Sequence, residues 1–184
     1  MELGLIRGTV QLQPHQPMWQ HNARETIAIL KKVLGDTAVD IQHIGSTAIG
    51  TISAKPIIDL VVGLRDKDEV LAKTDALKAV GVIFRGEDHP GQLLFVMGDF
   101  EKDTRTHHIH AVIWNGTEWN NYLNFRDYLN ANPDKAQEYD ALKRSLAEHF
   151  AEERGKYTAG KQTMIDRFLA EALVWRQKQS SVSV

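Results

Sequence analysis

Apolar positions along this chain change their spacing near its middle. Between residues 39 and 114 they gather in short runs broken by turn residues: "VDIQHI", "PIIDLVVGL", "GVIFRG", "QLLFVMG" and "THHIHAVIW". Runs of this length with β-branched residues predict strands. Ahead of them, Ile27, Leu30, Lys31 and Leu34 recur at helical spacing and Gly35 is a stop, which predicts a helix over Pro17–Leu34. Val70, Leu71, Leu77 and Val80 predict a second helix over 66–80, ended by Gly81.

From Trp119 onward the spacing is helical. "NPDKAQEYDALKRSLAEHFAEE" offers Asn132 as N-cap and Pro133 at the first helical position, with Asp134 near the positive end and a stripe of Tyr139, Leu142, Leu146 and Phe150. A last helix over 159–178 presents Ile165, Phe168, Leu169, Ala172 and Leu173. The pattern predicts one domain over 1–178, with a sheet region at about 36–116, a helical region at about 117–178, and a frayed tail over 179–184.

Composition narrows the classes. At 42% hydrophobic and 25% charged, the 184 residues are ordinary globular material. A net charge of -2 supplies no basic field of the kind that nucleic-acid binding needs. Without cysteine, disulfides and thiolate chemistry are excluded. No secretory leader pattern opens the chain, and no apolar run reaches the roughly 20 residues of a membrane span. The expectation is a soluble cytoplasmic protein.

The stretch "HIGSTAIGTISAKPIIDLVVGL" carries the chemistry. Gly45, Ser46 and Thr47 follow a strand directly, where glycine admits a ligand close to the backbone and hydroxyls can hold phosphate; an ordinary turn is the plainer reading. The spacing of Gly45 and Gly50 imitates half a P-loop, but Thr51 stands in place of its lysine and Lys55 comes too late. Asp59 interrupts an apolar strand between Ile58 and Leu60, where an unpaired charge is costly. It is either a site carboxylate, suited to Mg²⁺ beside phosphate, or a structural partner for Lys55 or an arginine.

In "THHIHAVIW", His108 and His110 share one strand face and His107 takes the other. With Asp59 the pair could bind Zn²⁺, Mn²⁺ or Fe²⁺, donate to phosphate, or act as acid and base. His43 could face the same cleft or merely pack, and Arg105 could clamp phosphate or be a loop charge. The loop at 86–92 could be a flap or a plain hairpin turn.

Taken together, Met18-Trp19, "HIGSTAIGTISAKPIIDLVVG", "RTHHIHAV", "YLNFRDYLNANPDKAQEYDALKRSLA" and "YTAGK" resemble the GrpB family, a branch of the nucleotidyltransferase superfamily. The resemblance covers about residues 15–170. It implies an α/β fold: a nucleotidyltransferase-like mixed sheet with flanking helices and a C-terminal helical bundle. It also implies a nucleotide or other phosphorylated ligand, a divalent metal (Mg²⁺ or Mn²⁺), possible nucleotidyl transfer, and a thin coenzyme A connection through domains joined to dephospho-CoA kinase. Arg126, Lys143 and Lys161 match its helical motifs as ligand contacts; the plainer readings are a local Arg126–Asp127 ion pair and surface or packing residues. The superfamily's second strand carboxylate is replaced here by Val61, which puts a two-metal mechanism in doubt. Two alternatives follow: a binding module that lost the metal pair, or a metal-dependent hydrolase or transferase built on Asp59, His108 and His110.

Overall fold

The computed structural model describes residues 3–182. A strand β1 (Leu5–Ile6) precedes helix α1 (Pro17–Leu34), which has Pro17 in its first turn and ends at Gly35 with φ 56°. Then come β2 (Ala38–Ile44), a single 3-10 turn (Ser46–Ala48), β3 (Ile58–Leu64), α2 (Lys67–Leu71), α3 (Thr74–Ala79), β4 (Ile83–His89) and β5 (Gln92–Met97). β6 (Thr104–Arg105) pairs with β1, and β7 (His107–Ile113) leads into α4 (Thr117–Ala131), α5 (Pro133–His149), α6 (Arg154–Gly160) and α7 (Gln162–Val182).

Five strands form one mixed sheet in the order β2-β3-β7-β5-β4. β3 and β7 run parallel, and every other pair is antiparallel. A parallel pair needs a crossover, here supplied by α2, α3 and the β4–β5 hairpin. Each of the five apolar runs in the sequence is a strand of this sheet.

On one face of the sheet, Trp19, Ala23, Leu30 and Leu34 of α1 pack on Ile41, Ile58, Leu60, Val62, Phe95, Ile109 and Ala111. On the other, Ile44, Val61 and Val112 meet Trp119 of α4. The helices share a separate core in which Ile49 and Ile52, from the loop before β3, join Tyr128, Leu129, Ala136, Tyr139, Phe168 and Ala172. That loop therefore ties the sheet to the helical half.

Several local expectations are corrected. The helix expected over 66–80 is two short ones, because the Thr74 hydroxyl donates to the Leu71 carbonyl (2.6 Å) and turns the chain. Asn132 occupies the N-cap position of α5, but its side-chain amide donates back to the Tyr128 carbonyl and so closes α4. Leu173 is 53% exposed, and Trp175 takes its place against the helical core. α7 continues through the expected tail as far as Val182, and residues 183 and 184 lie outside the described residues.

Candidate functional site

Backbone pairing builds the centre of the site. Asp59 stands opposite His108 across β3 and β7, and Val61 opposite His110, so Asp59, His108 and His110 share one face. Every other residue of β3 is buried, and Asp59 alone is half-exposed. All three line a cavity of about 300 Å³. The His108 Nδ1 to Asp59 Oδ1 distance is 3.1 Å. Burial resists ionisation of Asp59, but the His108 hydrogen bond and the charges of His108, His110 and Lys55 outweigh it, and its pKa falls to about 2.

Gly45 explains how the carboxylate comes so close to the turn. Its φ is 68°, and a Cβ there would lie 2.5 Å from Asp59 Oδ2 and 2.9 Å from Asp59 Cβ. Any other side chain would meet both backbone strain and this contact. Ser46 and Thr47 follow into the cavity wall.

His107 points the other way, as strand alternation requires, and bonds Thr26 and Thr106 through its two ring nitrogens at 3.0 and 2.9 Å. His110 lies 5.3 Å from the Tyr122 ring with a buried, unpartnered Nδ1, and burial lowers its pKa. The Tyr122 hydroxyl donates to Gln92 (2.7 Å).

The cations divide into two groups. Lys55 and Lys161 line the cavity with Arg154, and among the described residues none of the three forms an ion pair. Burial, then the charges of Arg154 and Lys161, lower the Lys55 pKa to about 8. Lys161 falls to about 8 through burial and Arg154, against the opposing pull of Asp59. Both ammoniums sit over the Tyr157 ring, at 5.6 and 4.6 Å from its centroid.

The remaining expected contacts are engaged elsewhere. Arg105 lies over Phe100 and pairs with Asp103. Arg126 donates to Gln42 Oε1 and the His43 carbonyl, both at 3.0 Å, and pairs with Asp127, which binds α4 to the edge strand β2. Lys143 donates to the Ser53 carbonyl beside Asp140. His43 pairs with Leu60 across β2 and β3, not with Asp59, and its Nε2 is 2.9 Å from Thr47 Oγ1. Burial lowers its pKa to about 4, so it braces the turn as a neutral ring.

A second compartment of about 640 Å³ shares Gly45, Ser46, Asp59, Tyr122 and Lys161 with the first and adds Phe125, Tyr139, Ile165, Leu169, Glu118 and Gln162. His89 and Pro90, at the tip of the β4–β5 hairpin, line it too; the segment expected as a loop over 86–92 is strand apart from the turn at Pro90 and Gly91. The sequence shows Tyr157 beside Lys161, but Arg154 and Thr158, which complete a set of four on the cavity wall, were missed. Their spacing of three, four and seven residues is one face of a helical turn, and that was the available signal.

The donors do not fit a two-ion centre. Val61, at the second carboxylate position, is fully buried against Ile44, Val112 and Trp119. Among the described residues no group of three His, Cys, Asp or Glu is placed to hold a metal ion.

Comparison with known proteins gives one family. A family model described as GrpB protein matches residues 9–171. The glutamate-rich protein GrpB of Alkalihalophilus pseudofirmus is 37% identical over 172 residues, covering 92% of this chain and 99% of that one. A dephospho-CoA kinase of Mycolicibacterium paratuberculosis is 28% identical over 86% of this chain, which spans 44% of that protein. Among solved structures, GrpB from Enterococcus faecalis superimposes with a TM-score of 0.84 at 31% identity, covering 91% of this chain and 99% of that one. Cid1 in complex with its short product ApU matches with a TM-score of 0.53 at 14% identity, over 73% of this chain and 42% of that one, a likeness of fold alone.

Proposed function

The chain belongs to the GrpB family, and from that premise and the chemistry of its cleft we propose that it binds a nucleotide or another phosphorylated small molecule. One observation carries the reading: Lys55, Arg154 and Lys161 crowd one cavity, repel one another, and make no ion pair among the described residues. A phosphate group relieves that repulsion and meets all three. The Gly45-Ser46-Thr47 wall closes the same cavity, and the aromatic lining of the adjoining compartment suits a nucleobase.

Transfer of a nucleotidyl group is the finer form of this proposal, and the nucleotidyltransferase-like fold supports it by analogy. A Mg²⁺ or Mn²⁺ ion belongs to it only as a companion of the ligand's phosphates, because Asp59 is the single carboxylate common to both compartments. Coenzyme A joins the ligands to be tried through the likeness to a dephospho-CoA kinase. The alternative of a binding module without catalysis draws on Val61, which holds an apolar side chain where a second ion would need an acid.

Calorimetric titration with pyrophosphate, ATP, UTP and coenzyme A, each with and without Mn²⁺, tests the reading. Saturable binding of at least one ligand, weakened in Lys161→Met, is the expected result. Binding of none, or binding indifferent to Lys161, would remove this function.

A further inference from the structure

Binding alone leaves one nitrogen in the cleft without a role. His108 Nδ1 faces Asp59 Oδ1 at 3.1 Å. An ionised carboxylate only accepts, so the hydrogen between them sits on Nδ1, and whenever the ring carries a single hydrogen its lone pair falls on Nε2. No protein atom among the described residues hydrogen-bonds Nε2, and it is not among the buried unpartnered atoms. It therefore opens onto the cavity that the ring lines, together with Lys55, Arg154 and Lys161.

The neighbouring histidines differ. His107 has both nitrogens engaged by threonines, and the Nε2 of His43 is taken by Thr47. His110 has no carboxylate behind it, only a buried Nδ1 beside the Tyr122 ring. Among the described residues, only His108 combines a carboxylate holding one nitrogen with an open second nitrogen in a cationic cavity.

We propose that His108 is a catalytic nucleophile whose Nε2 attacks a phosphorus atom of the ligand held by Lys55, Arg154 and Lys161. The inference rests on the phosphorylated-ligand reading and names the reacting atom of that same site. The Nε2 lone pair forms a nitrogen–phosphorus bond as the bond from phosphorus to its leaving group breaks, and the bonding pair departs with the leaving group. Nδ1 keeps its hydrogen, and the Asp59 carboxylate offsets the positive charge that the ring acquires. Attack of water or an acceptor hydroxyl on the same phosphorus then frees the imidazole, and the proton of that hydroxyl passes to solvent. Such a step divides one displacement into two.

Phosphoramidate is the probe, because it carries a single transferable phosphoryl group with ammonia as leaving group. The full chain is treated with it in EDTA, and acid-labile phosphate is mapped by peptide mass spectrometry at neutral pH. His21, whose side chain is 61% exposed, and His149 on α5 serve as internal standards. His108 should label about tenfold faster than either standard, more slowly in Asp59→Asn, and less when excess pyrophosphate occupies the cavity. Labelling of His108 no faster than the standards, or none at all, would overturn the proposal, and that comparison needs no variant to fold. Pyrophosphate binding without His108 labelling would sink the nucleophile and leave the binding reading standing. Labelling of His108 in a protein that binds neither pyrophosphate nor nucleotide would sink the binding reading and leave the nucleophile.

Discussion

Lys143 and Lys161 are two lysines withdrawn from solvent in the same helical half, and they occupy opposite situations. Lys143 is 1% exposed and donates to the Ser53 carbonyl, with Asp140 Oδ1 at 3.6 Å. Asp140 in turn accepts from the Ser53 amide and from Arg144, each at 2.8 Å, and Arg144 reaches the Ser53 hydroxyl at 2.7 Å. Every charge in that cluster is answered by another protein group, and its effect is to fix the loop that carries Lys55. Lys161 leans over Tyr157 beside two other cations and, among the described residues, has no acid bonded to it. Burial lowers both, to about 7 and about 8. Burial and a depressed pKa therefore do not distinguish frame from site. The presence or absence of a protein partner does.

The sharpest way to break this contrast is Asp140→Ala. Removing one member of a buried ion pair strands the other, and the expected loss of stability is about 3 kcal/mol in urea unfolding. A loss below about 1 kcal/mol would mean that the cluster is not what holds Ser53.

Lys161→Met should behave in the opposite sense. It should weaken pyrophosphate or nucleotide binding about tenfold, equivalent to about 1.4 kcal/mol, while the melting temperature stays near the parent value. A large drop in melting temperature with unchanged affinity would exchange the roles of the two lysines.

The pH dependence of binding sharpens the same point. Lys55 and Lys161 are charged below about 8, not below the usual lysine value of 10.5. Anion affinity, measured by calorimetry, should fall as pH rises through 8, and a bound phosphate should move that midpoint upward. Affinity unchanged up to pH 10 would show that the lysines do not face the ligand.

A pH-dependent stability effect separates the two faces of β7. Burial lowers the His107 and His43 pKa values from 6.5 to about 4. The unfolded chain therefore takes up protons first, and stability that is complete above pH 6.5 is lost as pH falls from 6.5 toward 4. Each such proton contributes about 1.4 kcal/mol per pH unit within that window. His107→Gln should remove one proton's share of the slope without changing ligand affinity, as pH-dependent melting and calorimetry would show.

The sheet was largely legible in the sequence because strand periodicity is local. Five apolar runs became five strands, and alternation alone placed His107 opposite His108 and His110. The ends of α1 were legible for the same reason, in Pro17 and Gly35. The Arg126–Asp127 pair was legible from adjacency, but the backbone partners of Arg126 and Lys143 were not, because they are the His43 and Ser53 carbonyls, 83 and 90 residues away in the chain. A basic residue that bonds distant backbone has the same local sequence as one that waits for a ligand. The break at Thr74 was hidden because a hydroxyl that takes a carbonyl leaves the apolar spacing intact. The set of Arg154, Tyr157, Thr158 and Lys161 was readable but polar, and a search for apolar stripes passes over it.

The parallel pairing of β3 with β7 also bears on the order of folding. Asp59 and His108 are 49 residues apart, with two helices and a hairpin between them. Closing such a loop is entropically slow, whereas β2, its turn and β3 can meet as near neighbours. During synthesis the glycine turn and the carboxylate are therefore made before His108 arrives to meet them. The Asp59–His108 pair comes into being only when β7 takes its place between β3 and β5, so until that strand docks the carboxylate lacks its imidazole partner.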